Sequence, residues 1–353
     1  MKKQIIHNWN SIYMELTSQC NLNCIYCYND SNIMSTQSLP FDLAKQILCQ
    51  ATERNIKNIS FSGGEPLLYP YFYELFDFAT TVLGRNITLI TNASLLTYDF
   101  LKRIVSTHTI LQLTIDGHTS ELHGKTRKTD NFEQNIEVIK HLRSKYKYDG
   151  VYVRINVSYH NYKNVFDIVK MLYEMGIKNI TVALISTMGR GAKSNKEDNV
   201  YQVQLLMELN QTIRFLQQKY IDLRLNYYAF GESLGCDFYS NTEHSINLRI
   251  RYDGAIFPCQ SFNCQNANLG NAQYINLADD YFEEIFDNWV DKVKKEKEEI
   301  LQKHCYNCYC RSFCEGGCLA YILDEPSEKT MFHASCLMRR KLYKNKLLSL
   351  STQ

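Results

Sequence analysis

Between residues 11 and 220 the chain alternates, six times over, a short β-branched or aromatic run with a longer segment whose apolar residues fall three and four apart. The runs are Ser11–Thr17, Ile56–Ser62, Asn86–Asn92, Ile110–Asp116, Val151–Val157 and Ile177–Leu184. The longer segments are Phe41–Arg54, Tyr71–Leu83, Tyr98–Ser106, Asn131–Tyr146, Val165–Met175 and Val200–Tyr220. The first pattern suits strands and the second suits amphipathic helices. Strict alternation predicts an α/β fold, with parallel strands clothed in helices as an open sheet or a barrel. The pattern changes after about Tyr220. There, Ile246–Ile250 and Ala255–Pro258 flank the turn Tyr252-Asp253-Gly254 and read as a hairpin. Asp291–Ile300 alternates charges as a solvated helical face does, and a last helix is expected over Cys336–Leu348. The expected division is therefore 1–220 and 221–353.

The 39 basic and 37 acidic residues leave a formal charge of +2, which calls for neither nucleic acid nor an anionic membrane as partner. The first residues lack the apolar run of a secretory signal, and no segment reaches the roughly 20 apolar residues of a membrane helix. A cytoplasmic location is expected. In a reducing compartment the 13 cysteines are poor material for a disulfide framework and point instead to metal or redox chemistry. They cluster: Cys20, Cys24 and Cys27, then Cys49 alone, then nine between 236 and 336.

Cys20, Cys24 and Cys27 directly follow the first strand candidate. Three thiolates on one loop can hold three corners of a cubane iron–sulfur cluster, leaving the fourth iron open to a small molecule. A structural zinc would need a fourth ligand, and the closest histidine, His7, lies before the strand. This spacing resembles the signature of the radical S-adenosylmethionine (SAM) superfamily. Ser62-Gly63-Gly64-Glu65-Pro66, after the second strand, resembles that family's loop for the SAM amino group. Its glycines let backbone carbonyls approach a ligand, and its carboxylate can answer an ammonium.

The resemblance implies a partial (β/α)6 TIM-like barrel with its site on the rim of strand C-termini. It implies SAM contacts from Asn92, Thr114 and Asn156 at strand ends, from Tyr26 and Tyr28 beside the cysteines, and from Arg127 to the SAM carboxylate. Gly189-Arg190-Gly191 is open to two readings, an adenosine contact or a flexible surface loop. The implied chemistry is one-electron cleavage of SAM to methionine and a 5′-deoxyadenosyl radical, which removes a hydrogen atom from the substrate.

Cys305, Cys308, Cys314, Cys318 and Cys336, with Gly254 five residues before Cys259 and with Cys236 upstream, resemble a C-terminal SPASM domain. The resemblance puts Cys305, Cys308, Cys314 and Cys336 on one auxiliary [4Fe–4S] cluster, and Cys236, Cys259 and Cys318 on a second. The fourth ligand of the second stays open between Cys264 and an exposed iron. Cys310 and Cys49 have no place in the pattern. Taken alone, residues 305–318 also fit a zinc ribbon.

SPASM relatives mostly modify peptides, so the expected function is hydrogen abstraction from a ribosomally made peptide followed by oxidative crosslinking or a related modification. A sulfatase-maturing (formylglycine-forming) enzyme and a peptide epimerase are the alternatives. Gln260 stands where sulfatase maturases typically carry an aspartate base, although Asp237 offers a substitute. The implied partners are a peptide or protein substrate and an electron donor of flavodoxin or ferredoxin type; with about ten residues before the first strand, leader recognition is left to a separate leader-binding protein, to the SPASM surface or to a short substrate that needs none. A non-catalytic iron–sulfur electron carrier is the reading from another class. It leaves the Gly63-Gly64-Glu65 loop without a purpose.

Overall fold

The computed structural model describes residues 6–129, 131–185, 189–191, 203–228, 243–262, 267–311, 319–320, 336, 340–341 and 343–344. Strand β1 (Ile6–Thr17) is followed on one side, in chain order and all parallel, by β2 (Asn58–Gly63), β3 (Asn86–Ile90), β4 (Ile110–Thr114), β5 (Val151–Val157), β6 (Asn179–Leu184) and β7 (Arg224–Tyr228). On the other side of β1 lies β8 (Glu243–Ile250), also parallel, and then antiparallel β9 (Ala255–Phe257) and β10 (Gly270–Asn271).

The crossovers are α1 (Phe41–Glu53), α2 (Phe72–Asp77), α3 (Tyr98–Ser106), α4 (Ser120–Arg127), α5 (Phe132–Tyr146), α6 (Val165–Glu174) and α7 (Val203–Lys219). Strands laid down in order with right-handed crossovers put their helices on one face of the sheet. Alternate residues of each strand record this. Ile12, Met14, Leu16, Ile59, Phe61, Leu111, Leu113, Val153 and Val182 belong to the buried apolar core. A fully buried side chain of this kind contributes about 1.5–3 kcal/mol, so the helix side of the sheet carries most of the stability. The opposite, inner face is polar and in places half-buried, with Tyr13, Ser60, Thr88, Gln112, Thr114, Arg154 and Thr181 along it. Strands β7 and β10 and one helix go beyond the sequence pattern, and β8, read there only as a hairpin arm, also joins the parallel sheet. β7 and β8 extend the sheet past the six expected strands. α4 escaped notice because its buried positions are Leu122, His123, Thr126 and Arg127, which show almost no apolar period.

The hairpin forms as expected, with Gly254 at φ +82° in its turn, but β8 also pairs with β1, a non-local contact. Helix α8 (Asp280–Cys305) is one continuous helix that overruns the expected 291–300 stretch and buries Phe282, Phe286, Trp289, Val290 and Val293. Arg54 fastens its start to the barrel. The guanidinium stacks on Trp9, bonds Glu283 at 2.6 Å and donates to the carbonyls of Asp279 and Leu277. The last helix, expected over Cys336–Leu348, lies largely outside the described residues. No helix among those described is long and apolar enough to cross a membrane.

Candidate active site

The loop carrying Cys20, Cys24 and Cys27 leaves the C-terminal end of β1 and is pinned from three directions. Cys20 N–H donates to Asn32 O at 3.1 Å, Ile25 N–H to Thr126 O at 3.0 Å, and Glu65 N–H to Gln19 O at 2.8 Å. The end of β2 presses directly on the start of this loop. A Cβ on Gly63 would meet Thr17 O at 2.4 Å, and one on Gly64 would meet Gln19 O at 2.1 Å. Only glycine permits that approach, and Gly63 also sits at φ +129°.

Glu65 is fully buried, and both carboxylate oxygens are already engaged. One accepts from Thr91 Oγ1 at 2.6 Å and Leu67 N–H at 3.2 Å, the other from Asn92 N–H at 2.8 Å. Burial pushes its carboxyl upward in pKa against the pull of those three donors. The carboxylate thus ties the ends of β2 and β3 together and caps the short turn Pro66–Leu68. Asn92 continues the tie, its amide donating to Asn21 Oδ1 at 2.9 Å in the cysteine loop.

Asp116, beyond the end of β4, is the hub of the opposite wall. It is wholly buried and accepts Tyr26 Oη at 2.6 Å, Thr126 Oγ1 at 3.0 Å and Asn156 N–H at 2.8 Å. Tyr26 in turn accepts from Arg127 Nη1 at 3.0 Å. Burial pulls the Arg127 pKa down, but Cys24, Tyr26 and Asp116 outweigh it and hold the guanidinium above its ordinary value. Its Nε is buried with no hydrogen-bond partner among the described residues. Tyr26, Arg127 and Asn156, inferred separately from sequence, are therefore joined through one carboxylate that the sequence reading did not single out. The readable signal was an acid followed by glycine just past a barrel strand. Thr114 ends β4 on the same inner face.

Arg190 has a definite place. Its Nε donates to Cys24 O at 2.8 Å, Nη2 to Ser31 O at 2.8 Å and Nη1 to Asp30 at 2.6 Å, while its backbone N–H reaches Cys27 O at 3.0 Å. Gly189, at φ +56°, leaves room for Cys27 O, which a Cβ would approach to 2.4 Å. The residues after β6 thus clamp the cysteine loop from outside. Arg190→Met removes three charge-assisted bonds, the one to Asp30 largely exposed, and water can replace part of them, for a net loss of about 1.5–3 kcal/mol. It is expected to make reconstituted protein shed iron faster on desalting, with a melting point lowered by only about 2–4 °C because the core is untouched. Iron assay and thermal melting check both halves.

A second buried network lies deeper on the inner face. Arg249 of β8 forks onto both oxygens of Glu15 in β1 at 2.9 and 3.0 Å, and neither side chain is exposed. Arg249 also donates to Phe262 O at 2.7 Å and Asn29 Oδ1 at 2.9 Å. Tyr28 Oη donates to Glu15 at 2.7 Å, so it accepts from Tyr13 at 3.0 Å, and Tyr13 accepts from Ser62 at 2.6 Å. Each hydroxyl has one proton, so the direction of the chain is forced.

Of the C-terminal cysteines, Cys236, Cys264, Cys314 and Cys318 lie outside the described residues. Cys259 packs against the core after β9, and Cys305 closes α8. Tyr309 Oη bonds Arg340 O at 2.6 Å, and the Arg340 guanidinium is raised in pKa by its bond to Cys308 and by nearby Cys336. Cys310, outside the expected pattern, is 1 % exposed.

No three ligands among the described residues close tightly enough for a single metal ion. A cubane spreads its thiolates over separate irons, whereas one zinc draws each sulfur to about 2.3 Å. Cys20 lies within electrostatic reach of Cys24 and Cys27, and burial pushes its thiol up to about 12. Metal loading must therefore displace protons. Three thiols on one loop fit an open cluster, and the orphaned Arg127 Nε fits a carboxylate beside it.

A parallel sheet with three cysteines after its first strand and a glycine–acid loop after its second is the arrangement that the radical SAM resemblance implies. Residues 14–159 match the Radical SAM superfamily, a match that implies SAM and a [4Fe–4S] cluster. The mycofactocin maturase MftC of Mycobacterium tuberculosis is 25% identical over 178 residues, covering 50% of this chain and 45% of MftC, so the chain spans under half of that relative. The subtilosin biosynthesis protein AlbA of Bacillus subtilis is 23% identical over 86% of this chain and 66% of its own length. The cysteine-type anaerobic sulfatase-maturating enzyme of Clostridium novyi is 24% identical over 86% of the chain and 85% of that enzyme. In fold, Streptococcus suis SuiB bound to S-adenosylmethionine superposes with a TM-score of 0.69 at 20% identity, covering 92% of this chain and 76% of SuiB. Native anSMEcpe with AdoMet and a peptide gives 0.67 at 18% identity over 96% and 99%. The α/β architecture is thus shared with these two structures.

Proposed function

We propose that this chain is a radical SAM maturase that abstracts hydrogen from a residue of a ribosomally made peptide and completes an oxidative modification, such as a crosslink. The observation that carries the reading is the convergence of the cysteine loop, the Gly63–Glu65 loop and the orphaned Arg127 Nε at one rim of the barrel. When bound, the cluster and SAM supply a 5′-deoxyadenosyl radical.

The chain's own residues bind and orient. Cys20, Cys24 and Cys27 hold the cluster. The backbone of Gly63 and Gly64 receives the SAM ammonium, with Glu65 bracing that loop through its three donors. Arg127 takes the SAM carboxylate, and Tyr26, Tyr28, Pro66, Asn92, Thr114 and Asn156 border the cofactor. Residues 221–353 act as the SPASM region. There Cys305, Cys308, Cys314 and Cys336 hold one auxiliary cluster, and Cys236, Cys259 and Cys318, with Cys264 or an open iron, hold another. An electron donor of flavodoxin or ferredoxin type feeds the site in the cytoplasm.

Anaerobically reconstituted protein given SAM and dithionite should form 5′-deoxyadenosine, and Cys24→Ala should not. Iron and sulfide near three clusters' worth support the auxiliary assignment, and one cluster's worth defeats it. Sulfatase maturation is the second reading, favoured by the nearly full-length match to the Clostridium novyi enzyme. Gln260, exposed after Cys259, offers it no base. Mass spectrometry of a co-expressed candidate substrate separates crosslinking from formylglycine formation.

A further inference from the structure

Arg154 stands on the inner face of β5, in register with Thr114 of β4 and Thr181 of β6, one strand pair below the rim where Asn156 and Asp116 meet. It is half-buried, and its Nε donates to Asn156 Oδ1 at 2.8 Å. The two terminal nitrogens have no hydrogen-bond or ion-pair partner among the described residues, and neither is sealed from solvent.

The acids around the inner face are all committed elsewhere. Glu15 is held by Arg249 and Tyr28, Glu65 by Thr91, Asn92 and Leu67, and Asp116 by Tyr26, Thr126 and Asn156. A guanidinium presents a rigid fork of donors that matches a carboxylate with two parallel bonds. Its Nε bond to Asn156 leaves the terminal pair free and aimed by the strand. The barrel interior thus holds two arginines with donors to spare, Arg127 and Arg154. SAM brings one carboxylate. Arg127, bonded to Tyr26 of the cysteine loop, is the nearer to the cluster position, so the second arginine is left for the substrate.

We infer that Arg154 receives a carboxylate of the peptide substrate, and so selects peptides with an acid close to the residue being modified. This rests on the peptide-maturase reading above. The carboxylate has two sources, an Asp or Glu side chain or a peptide C-terminus.

The test uses reconstituted, SAM-loaded holoenzyme and four probes: acetyl-Gly-Gly-Glu-Gly-Gly-amide, its Gln counterpart, acetyl-pentaglycine acid and acetyl-pentaglycine amide. Binding is measured by saturation-transfer NMR for wild type, Arg154→Gln and Arg154→Lys. Wild type should favour one acid over its amide by about tenfold, the Gln variant by less than about twofold, and the Lys variant in between, since it keeps charge but not the fork. The favoured pair tells side chain from C-terminus. Wild type that forms 5′-deoxyadenosine yet shows no acid preference overturns the inference alone. Wild type that forms none defeats the maturase reading first. A tenfold loss of SAM affinity in both variants reassigns Arg154 to the cofactor and equally overturns the inference.

Discussion

Arg249→Met is expected to destabilise the protein by about 3–5 kcal/mol, because it strands the Glu15 carboxylate in a fully buried site. For a chain of this length that corresponds to a melting point lower by roughly 4–7 °C, if the barrel unfolds as one unit. Burial itself pulls the Arg249 pKa down, but Glu15 and its tyrosine neighbours more than compensate, so the guanidinium stays charged. The cost falls on the lost partner and not on the missing volume. A Glu15→Gln, Arg249→Met double variant should therefore recover about half of the loss. Thermal melting of both single variants and the double closes this cycle. If the double variant is no better than Arg249→Met, packing rather than charge holds the site. The functional effect should be larger than the stability effect. Arg249 bonds Asn29, two residues after Cys27, and Phe262 O, three residues after Cys259, so its loss loosens both cysteine segments at once.

Asp116→Ala should be the most damaging single change at the rim. It leaves Tyr26 Oη, Thr126 Oγ1 and Asn156 N–H without their acceptor, at about 1–3 kcal/mol for each buried donor that finds no replacement. Some of that is regained where water enters the space left by the carboxylate and accepts from Tyr26, so a net loss of about 3–5 kcal/mol is expected. Asp116→Asn keeps the size but turns one acceptor into a donor facing other donors, and should fall between wild type and alanine. SAM affinity of the folded variants, measured by equilibrium dialysis, should weaken by more than about tenfold, because Arg127 is aligned only through Tyr26 and this carboxylate. Unchanged SAM affinity in Asp116→Asn would separate this hub from the cofactor.

The sequence by itself determined the parts of this protein whose signal is local. Five of the six expected barrel strands lie within two or three residues of their read positions, and the first begins five residues earlier. Strand alternation and helical period are written within a few residues of each element. The cysteine loop and the Gly63–Glu65 loop were legible for the same reason, since each is a short run on one turn. Arg190 was readable as a motif but not as a clamp, because its partners Cys24 and Ser31 are distant in the chain. Glu15 and Arg249 were silent, one a buried acid in a strand and the other an arginine in a hairpin arm, and Asp116 showed only an acid–glycine pair past a strand end. Their meaning is set by which strands become neighbours, and β8 beside β1 is a pairing that no local period encodes. Tertiary structure alone brought Arg249 to Glu15 and Asp116 to Tyr26, because a buried charge is tolerable only where the fold supplies its partner. It also left the two terminal nitrogens of Arg154 on the inner face without a partner among the described residues, the feature from which substrate choice is now open to test.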